Sequence, residues 1–371
     1  MPNKILQGNV TDKLKELETG TVQCVVTSPP YWGLRDYGTA VWEGGDDDCE
    51  HLAAKMNPLK VGGFTGERLR KESGTENEKY LIYKNECSDC GAIKKDNQLG
   101  LESTPEEYVI KMVEVFRAIK RVLKNDGTVW LNLGDSYASQ GGSTPEQTIT
   151  GRNSTDIKVH RNMHGGGSRK PTSGLKPKDL VGIPWRVAFA LQADGWYLRQ
   201  DIIWHKPNPM PESVTDRCTK SHEYIFLLTK SSRYYYNADA IKELSTDRES
   251  INGMKQRNPK SFATQPFSET RSNIHKMQGT YLTRNKRSVW SINTQPYKEA
   301  HFAVFPQKLP ELCIKAGSSK GDIILDPFFG SGTTGYVAQK LGRRWIGIEL
   351  NEEYIKIANK RFAQQDLFVA Q

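Results

Sequence analysis

The chain has 371 residues, of which 36% are hydrophobic and 26% charged, enough for one large globular domain or two ordinary ones. No apolar run approaches the roughly 18 residues of a membrane span, and the first residues lack the apolar core of a signal peptide. We therefore expect a cytoplasmic protein. Six cysteines do not suggest a disulfide scaffold, and the net charge of +9 favours a polyanionic partner.

Strand and helix patterns alternate along the chain, which is typical of a parallel α/β sheet. Residues 22–27 read as a buried strand. Thr104 and Pro105 are typical of a helix start, and that helix is predicted to run to about Leu123. A turn at 125–127 and a strand over 128–133 follow.

The second half of the chain continues this alternation. Its predicted elements are a helix from Pro184 to a turn at 194–195, strands at 197–204 and 224–229 that could pair as a hairpin, a strand at 323–325, a helix to about Leu341, a strand at 345–348, and a last helix capped by Asn351.

Three segments do not fit the alternation. Residues 43–100 carry glycines, charges and clustered cysteines. Residues 139–178 hold seven Lys or Arg against two acids, and residues 241–297 hold ten against four. We interpret the second as a flexible basic loop and keep the third as a candidate for nucleic-acid contact.

A glycine loop, residues 326–335, follows the predicted strand at 323–325 and precedes a helix. It contains the G-x-G-x-x-G pattern at 330–335, which lets backbone approach a ligand and offers helix N–H groups to an anion. Glu349 ends the next strand, where an acid can bind ribose hydroxyls. The pattern alone allows NAD or S-adenosylmethionine.

A proline loop, residues 28–31, follows the strand at 22–27 with the sequence Ser28-Pro29-Pro30-Tyr31. The Ser28 oxygen and the Pro29 carbonyl can accept N–H bonds from an exocyclic amine, and the Tyr31 ring can stack on a base. An amine inside a duplex can be reached only when the base is flipped out.

Four metal-ligand types lie in the first irregular segment: Cys49, His51, Cys87 and Cys90. Their number and spacing suit a closed structural zinc site, and C-x-x-C-G at 87–91 is the more specific half.

Together the two loops resemble those of the β-group DNA amino-methyltransferases, the N-4/N-6 DNA methylase family, in which the catalytic motif precedes the cofactor motif. This resemblance implies the S-adenosylmethionine-dependent methyltransferase fold. That fold is Rossmann-like, with a mostly parallel seven-stranded sheet, a circularly permuted motif order and inserted zinc-binding and target-recognition segments. It also implies double-stranded DNA as substrate, a possible cognate restriction endonuclease as partner, and a monomer or homodimer.

The resemblance assigns roles to particular residues. The donor would contact Asp326, Pro327, Phe328, Gly330, Ser331, Gly332, Thr333, Thr334 and Glu349, together with Phe305 and Asn9. Asn9 departs from the acid usual there. Ser28, Pro29, Pro30 and Tyr31 would be catalytic, with Trp204 near the base. S-P-P-Y favours cytosine-N4 as target over adenine-N6.

The resemblance also divides the chain into segments. Residues 1–42 and 101–240 would form the catalytic part, 43–100 the zinc-binding insert, 241–297 the target-recognition region and 298–371 the donor-binding part. The candidate DNA contacts in the target-recognition region are Arg248, Arg257, Arg271, Arg284, Lys286 and Arg287. More distant alternatives are an NAD-dependent oxidoreductase and a DNA-binding protein without catalysis.

Overall fold

The computed structural model describes residues 3–33, 41–46, 48–49, 54–55, 81–82, 87, 90–95, 98–138, 175–244, 283–295 and 305–369. In chain order the strands are β1 (Lys4–Gln7), β2 (Val22–Thr27), β3 (Val41–Glu43), β4 (Ala54–Lys55), β5 (Leu81–Ile82), β6 (Ile93–Lys95), β7 (Leu123–Leu133), β8 (Tyr197–His205), β9 (His222–Thr229), β10 (Glu243–Leu244), β11 (Thr283–Arg284), β12 (Val289–Ser291), β13 (Ile323–Asp326) and β14 (Arg344–Glu349). The helices are α1 (Val10–Lys15), α2 (Pro105–Val122), α3 (Ile183–Ala193), α4 (Lys308–Gly317), α5 (Thr333–Lys340) and α6 (Glu352–Val369). None of these helices combines the length and apolar character of a membrane span.

The chain divides into two compact units, one formed by Met1–Arg35 with Leu99–Gln371 and the other by Asp36–Gln98. In the second unit β3 pairs antiparallel with β6, and β4 pairs antiparallel with β5. The finer segment boundaries expected from the sequence stay predictions.

The first unit is built on an eight-stranded sheet with the order β1-β14-β13-β2-β7-β9-β8-β12. Only β9 runs against the others, because it pairs antiparallel with both β7 and β8. The predicted mostly parallel, seven-stranded arrangement is present, and the short strand β12 extends it beside β8. Since β2 lies next to β13, the permuted order of the motifs along the chain does not separate them in space.

Successive side chains of a strand point to opposite faces of the sheet, and here the side chains on both faces are apolar. Helices therefore cover both faces. Val25 and Leu131 face one core cluster, to which α1, α2 and α3 contribute. Cys24 and Trp130 face the other, to which α4, α5 and α6 contribute. The result is a three-layer α/β/α domain with its polar loops at the strand ends.

The predicted helix starts and the hairpin are confirmed. The Thr104 hydroxyl accepts the Glu107 N–H over 3.1 Å, and Asn351 Oδ1 accepts the Glu353 N–H over 2.8 Å. The predicted turn at 125–127 is wrong, because these residues lie within β7. The pairing of β7 with β2 slips there, so the extra residues form an irregularity in a continuing strand instead of ending it.

Candidate active site

The two loops that lie far apart in the sequence meet at one edge of the sheet. Val25 of β2 pairs in parallel with Leu325 of β13, so both strands end at the same edge. The Thr27 hydroxyl donates a hydrogen bond to Asp326 Oδ1 over 2.7 Å. A direct side-chain contact therefore links the residue before the proline loop to the first residue of the glycine loop.

Asp326 is the polar centre of this junction and is 2% exposed. Its Oδ1 also accepts the Phe328 N–H, and its Oδ2 accepts the Thr334 hydroxyl over 2.7 Å. Burial raises the pKa of Asp326 to about 7, although the hydrogen bonds from Thr334 and Thr27 oppose that rise. The carboxyl group thus holds the beginning of the glycine loop, the start of α5 and the end of β2 together.

The glycine loop forms a cradle without side chains. Gly330 and Gly332 have φ angles of +52° and +77°, a region that favours glycine. A Cβ at Gly332 would lie 3.1 Å from the Ala358 Cβ. Ser331 is 3% exposed, and among the described residues its hydroxyl has no hydrogen-bond partner. A buried hydroxyl beside the N-terminus of α5 suits an anionic group such as a carboxylate.

Two further side chains hold the glycine loop in place. Phe329 stacks on Trp345, with 5.1 Å between ring centroids, and a Cβ at Gly347 would lie 2.3 Å from its Cγ. The buried Arg361 donates to the Thr333 hydroxyl over 2.9 Å. Neither Phe329 nor Arg361 was predicted as a site residue, since both contact the glycine loop on the side that faces the protein core.

Glu349 lies at the end of β14, beside the glycine loop as predicted. Its Oε2 accepts the Gly330 N–H over 2.7 Å, and its Oε1 accepts the Asn351 N–H over 2.8 Å. Burial raises the pKa of Glu349. Each carboxylate oxygen has two lone pairs, so a ribose hydroxyl can still donate to this group.

The other predicted donor contacts have different surroundings. Asn9 Oδ1 accepts the Thr11 N–H over 2.9 Å and so caps α1. Phe305 packs partly buried against the core cluster beneath α4 and α5, and Phe328 packs partly buried against the opposite cluster. Pro327 is buried. Their contacts with the donor stay predictions.

The proline loop is held by a tyrosine from α2. The Tyr108 hydroxyl donates to the Pro30 carbonyl over 3.0 Å, and Pro29 is buried. The Tyr31 ring lies against Gly134, where a Cβ would approach the Tyr31 Cε2 to 2.6 Å. Burial raises the pKa of Tyr31 well above its usual value, so the phenol keeps its proton.

Sequence reasoning missed three polar side chains near Tyr31, those of Glu223, Asn132 and Lys206. The Tyr31 hydroxyl lies 2.7 Å from Glu223 Oε2 and 3.1 Å from Asn132 Oδ1, and it accepts the Ser28 hydroxyl over 3.1 Å. Lys206 pairs with the other oxygen of Glu223. The available signal was an acid near the start of the otherwise apolar strand β9.

Of the candidate DNA contacts that the structure describes, only Trp204 lies near this edge, where it is opposite Glu223 in the pairing of β8 with β9. Trp204 is 3% exposed and packs in the core, with its Nε1 donating to the Ile292 carbonyl. Arg284 and Lys286 both pair with Glu243. With Arg287 they precede β12, which runs parallel to β8, so they lie toward the sheet edge opposite the proline loop. Arg248, Arg257 and Arg271 lie outside the described residues. Residues 139–174 of the predicted basic loop also lie outside them.

The second unit brings three of the four predicted metal ligands together. The Sγ atoms of Cys49, Cys87 and Cys90 all lie within 4.8 Å of one another. Those of Cys49 and Cys87 are 3.8 Å apart, too far for a disulfide. Tetrahedral zinc–sulfur bonds of about 2.3 Å place two sulfurs about 3.8 Å apart, so these thiols fit such an ion. His51 lies outside the described residues.

Comparison with known families decides between the interpretations of the glycine loop. The DNA methylase model N6_N4_Mtase matches residues 22–360. The chain belongs to the DNA methylases of the N4/N6 type. This membership confirms the resemblance seen in the two loops and the S-adenosylmethionine-dependent methyltransferase fold, and it favours that donor over NAD.

Individual relatives of this DNA methylase span nearly its whole length. It is 42% identical to the Type II methyltransferase M.SmaI of Serratia marcescens, over 98% of this chain and 91% of that protein. It is 38% identical to the Type II methyltransferase M.Cfr9I of Citrobacter freundii, over 98% of this chain and 88% of that protein. Among solved structures, the PvuII DNA methyltransferase (cytosine-N4-specific) has the same fold, with a TM-score of 0.53 and 16% identity over 98% of this chain and 86% of that one.

Replacing Asp326 with Asn tests the electrostatics of the junction. The pKa of Asp326 is raised to about 7 in the folded protein, from 3.8 for an ordinary aspartate, so the unfolded chain releases this proton at lower pH. The contribution of this group to the free energy of unfolding therefore falls as pH rises from about 4 to about 7. The free energy of unfolding of the wild type minus that of Asp326→Asn should therefore be larger at about pH 5 than at about pH 8.

Urea unfolding at both pH values measures this difference. Asp12→Asn, at a carboxylate whose side chain is 67% exposed, controls for the loss of one surface charge. If the difference in free energy of unfolding between wild type and Asp326→Asn is the same at both pH values, folding does not hinder ionisation of the Asp326 carboxyl.

Proposed function

We propose that this DNA methylase transfers a methyl group from S-adenosylmethionine to the exocyclic N4 amine of a flipped-out cytosine in a specific DNA sequence. The observation that carries the proposal is the position of Ser28. Its hydroxyl lies in the proline loop immediately after Thr27, whose side chain binds Asp326 at the start of the glycine loop. An amine acceptor and a cradle for the donor thus adjoin each other.

The chain's own residues account for donor binding. The N–H groups at the start of α5 and the buried Ser331 hydroxyl would hold the methionine carboxylate, and Glu349 would accept the ribose hydroxyls. Gly330 and Gly332 keep the loop clear of side chains. When bound, the donor supplies an electrophilic methyl group on a sulfonium.

The proline loop would act on the target amine. The nitrogen of a cytosine amine is a poor nucleophile because its lone pair is delocalised into the ring. The Ser28 oxygen and the Pro29 carbonyl would accept its two N–H groups and steer the nitrogen toward tetrahedral geometry. Ser28 need not be a strong base, because the methylated nitrogen is cationic and loses its proton readily. The Tyr31 ring would stack on the flipped base.

Serine at position 28 is the basis for preferring cytosine-N4. Related enzymes with an acid or amide at this position resemble adenine-N6 enzymes, which makes adenine the other candidate target. The Type II relatives also lead us to propose a cognate restriction endonuclease as a partner, and either a monomer or a homodimer as the active form.

Mass spectrometry of nucleosides tests the function. Unmodified DNA of mixed sequence is incubated with the protein and a donor carrying an isotopically labelled methyl group. We expect label in N4-methylcytosine, and none with Tyr31→Ala, which loses the stacking ring. Tyr197→Ala, at a tyrosine that is 47% exposed, should stay within about twofold of wild-type activity.

Each other outcome of this experiment overturns a different part of the proposal. Label in N6-methyladenine would keep the mechanism and reject the target base. No label in any base would reject methyl transfer to DNA. Full activity of Tyr31→Ala would reject the role assigned to the proline loop.

We also propose that Cys49, Cys87 and Cys90 bind one structural zinc ion together with His51. The support is the mutual approach of the three Sγ atoms, within 4.8 Å. The Cys87 carbonyl also accepts the Gly91 N–H over 2.9 Å, which brings the two ends of the C-x-x-C-G segment together. Thiolates and an imidazole provide the ligand set of closed zinc sites.

Metal analysis of the purified protein tests this zinc site. We expect about one zinc per chain, and loss of the metal with a lower melting temperature for Cys87→Ser, since metal binding adds to folding free energy. Cys218→Ser, at an exposed cysteine, should keep its metal. Less than about half a zinc per chain, with Cys87→Ser as stable as wild type, would reject the site.

A further inference from the structure

Glu223 is an acid placed at the catalytic edge by a strand that runs against its neighbours. It is the second residue of β9, and β9 is antiparallel to both β7 and β8. The beginning of β9 therefore lies where the parallel strands end. There the side chain of Glu223 is 14% exposed and faces the side chains of Tyr31, Asn132 and Lys206.

The hydrogen bonds around Glu223 have a definite direction. Tyr31 has one hydroxyl proton, and its shortest acceptor is Glu223 Oε2 at 2.7 Å, with Asn132 Oδ1 farther away at 3.1 Å. A carboxylate is also the stronger acceptor, because hydrogen bonds to charged groups are roughly twice as strong as neutral ones. The phenol proton thus points to Glu223, which leaves the phenol oxygen to accept the Ser28 hydroxyl.

The orientation of the Ser28 hydroxyl follows from these hydrogen-bond directions. Its own proton is directed to Tyr31, so the lone pairs of its oxygen are left for other donors. An N–H group of a target amine is such a donor. Without the carboxylate, the phenol proton can rotate toward Ser28, and the Ser28 hydroxyl can then turn its proton toward the amine.

We propose that Glu223 is a positioning residue for methyl transfer: acting through Tyr31, it sets the Ser28 hydroxyl so that its oxygen accepts the target amine. This inference rests on the proposed function. Lys206 pairs with Oε1, which balances the charge and leaves Oε2 directed at Tyr31. Asn132 Nδ2 also donates to the same Oε2 over 3.0 Å, and this hydrogen bond holds the Glu223 carboxylate in position.

Asp135 is another acid at this edge, but its carboxylate serves a different element. Asp135, which follows β7, accepts the backbone N–H groups of Gly182 and Ile183 through its Oδ1, at 3.0 and 3.1 Å, and so serves the start of α3. Among the described residues, Glu223 is the carboxylate that contacts Tyr31. A purely structural role for Glu223 would rest on its ion pair with Lys206 and its hydrogen bond from Asn132.

Single-turnover methyl transfer of Glu223→Gln tests the inference, because this measurement isolates the chemical step from product release. Gln preserves the shape but provides a neutral acceptor and can turn an N–H group toward Tyr31. We expect the rate to fall on the order of 100-fold, as for other lost preorganised contacts. The dissociation constants for donor and DNA should stay within about threefold, since Glu223 acts on the reaction and not on binding.

A double-mutant cycle with Tyr31→Phe separates positioning from a structural role. Tyr31→Phe keeps the stacking ring and removes the hydroxyl that links Glu223 to Ser28. If Glu223 acts through that hydroxyl, Glu223→Gln should slow Tyr31→Phe by less than about threefold. The inference would be overturned if Glu223→Gln slowed Tyr31→Phe on the order of 100-fold, as much as it slows the wild type.

A matched control and a second variant keep the experiment decisive. Glu212→Gln removes an exposed carboxylate that, like Glu223, has a basic partner, here Arg217, and it should keep the wild-type rate within about twofold. If Glu223→Gln does not fold, Glu223→Asp keeps the charge but is one methylene shorter, and the same cycle applies. Wild-type rates for all Glu223 variants would reject the inference while leaving the proposed function intact, whereas no transfer by the wild-type protein would reject the function itself.

Discussion

The hydrogen bond between the Thr27 hydroxyl and the buried Asp326 carboxyl is the contact on which the site depends. It forms because β2 and β13 are neighbouring parallel strands that end at the same edge. Asp326 also binds the Thr334 hydroxyl, so a single carboxyl group sets the end of one strand, the beginning of a loop and the first turn of a helix. Burial of that group is costly, and its hydrogen bonds offset part of the cost.

The glycine loop shows a second constraint, which is space. Gly330 and Gly332 adopt positive φ angles, and Gly332 also lies too close to Ala358 to admit a side chain comfortably. Phe329 fills the volume over Gly347 and stacks on Trp345, so the loop is packed on its inner side. The outer side of the loop is thereby held in one shape, with the Ser331 hydroxyl and the helix N-terminus as its polar groups.

The reversal of β9 explains how an acid reaches the proline loop. In an all-parallel sheet, residues near the start of a strand would lie at the opposite edge from the loops that bind ligands. Because β9 is antiparallel, Glu223 lies beside Tyr31 and Asn132 instead. One reversed strand thus adds a carboxylate next to the proline loop, beside the hydroxyl of Tyr31 and the amide of Asn132.

The sequence by itself determined the elements whose signals are local. The caps at Thr104 and Asn351, the buried strand at 22–27, the glycine and proline loops and the family are all readable from short segments, because capping, strand burial and backbone freedom depend on neighbouring residues. The tertiary structure decided the rest. The turn predicted at 125–127 became an irregularity within β7, because β7 pairs with β2 on both sides of it, at Leu123 and from Thr128 onward. Likewise Glu223, Asn132 and Tyr31 meet only through strand order and direction, since no local pattern records which distant side chains a sheet will bring to one edge.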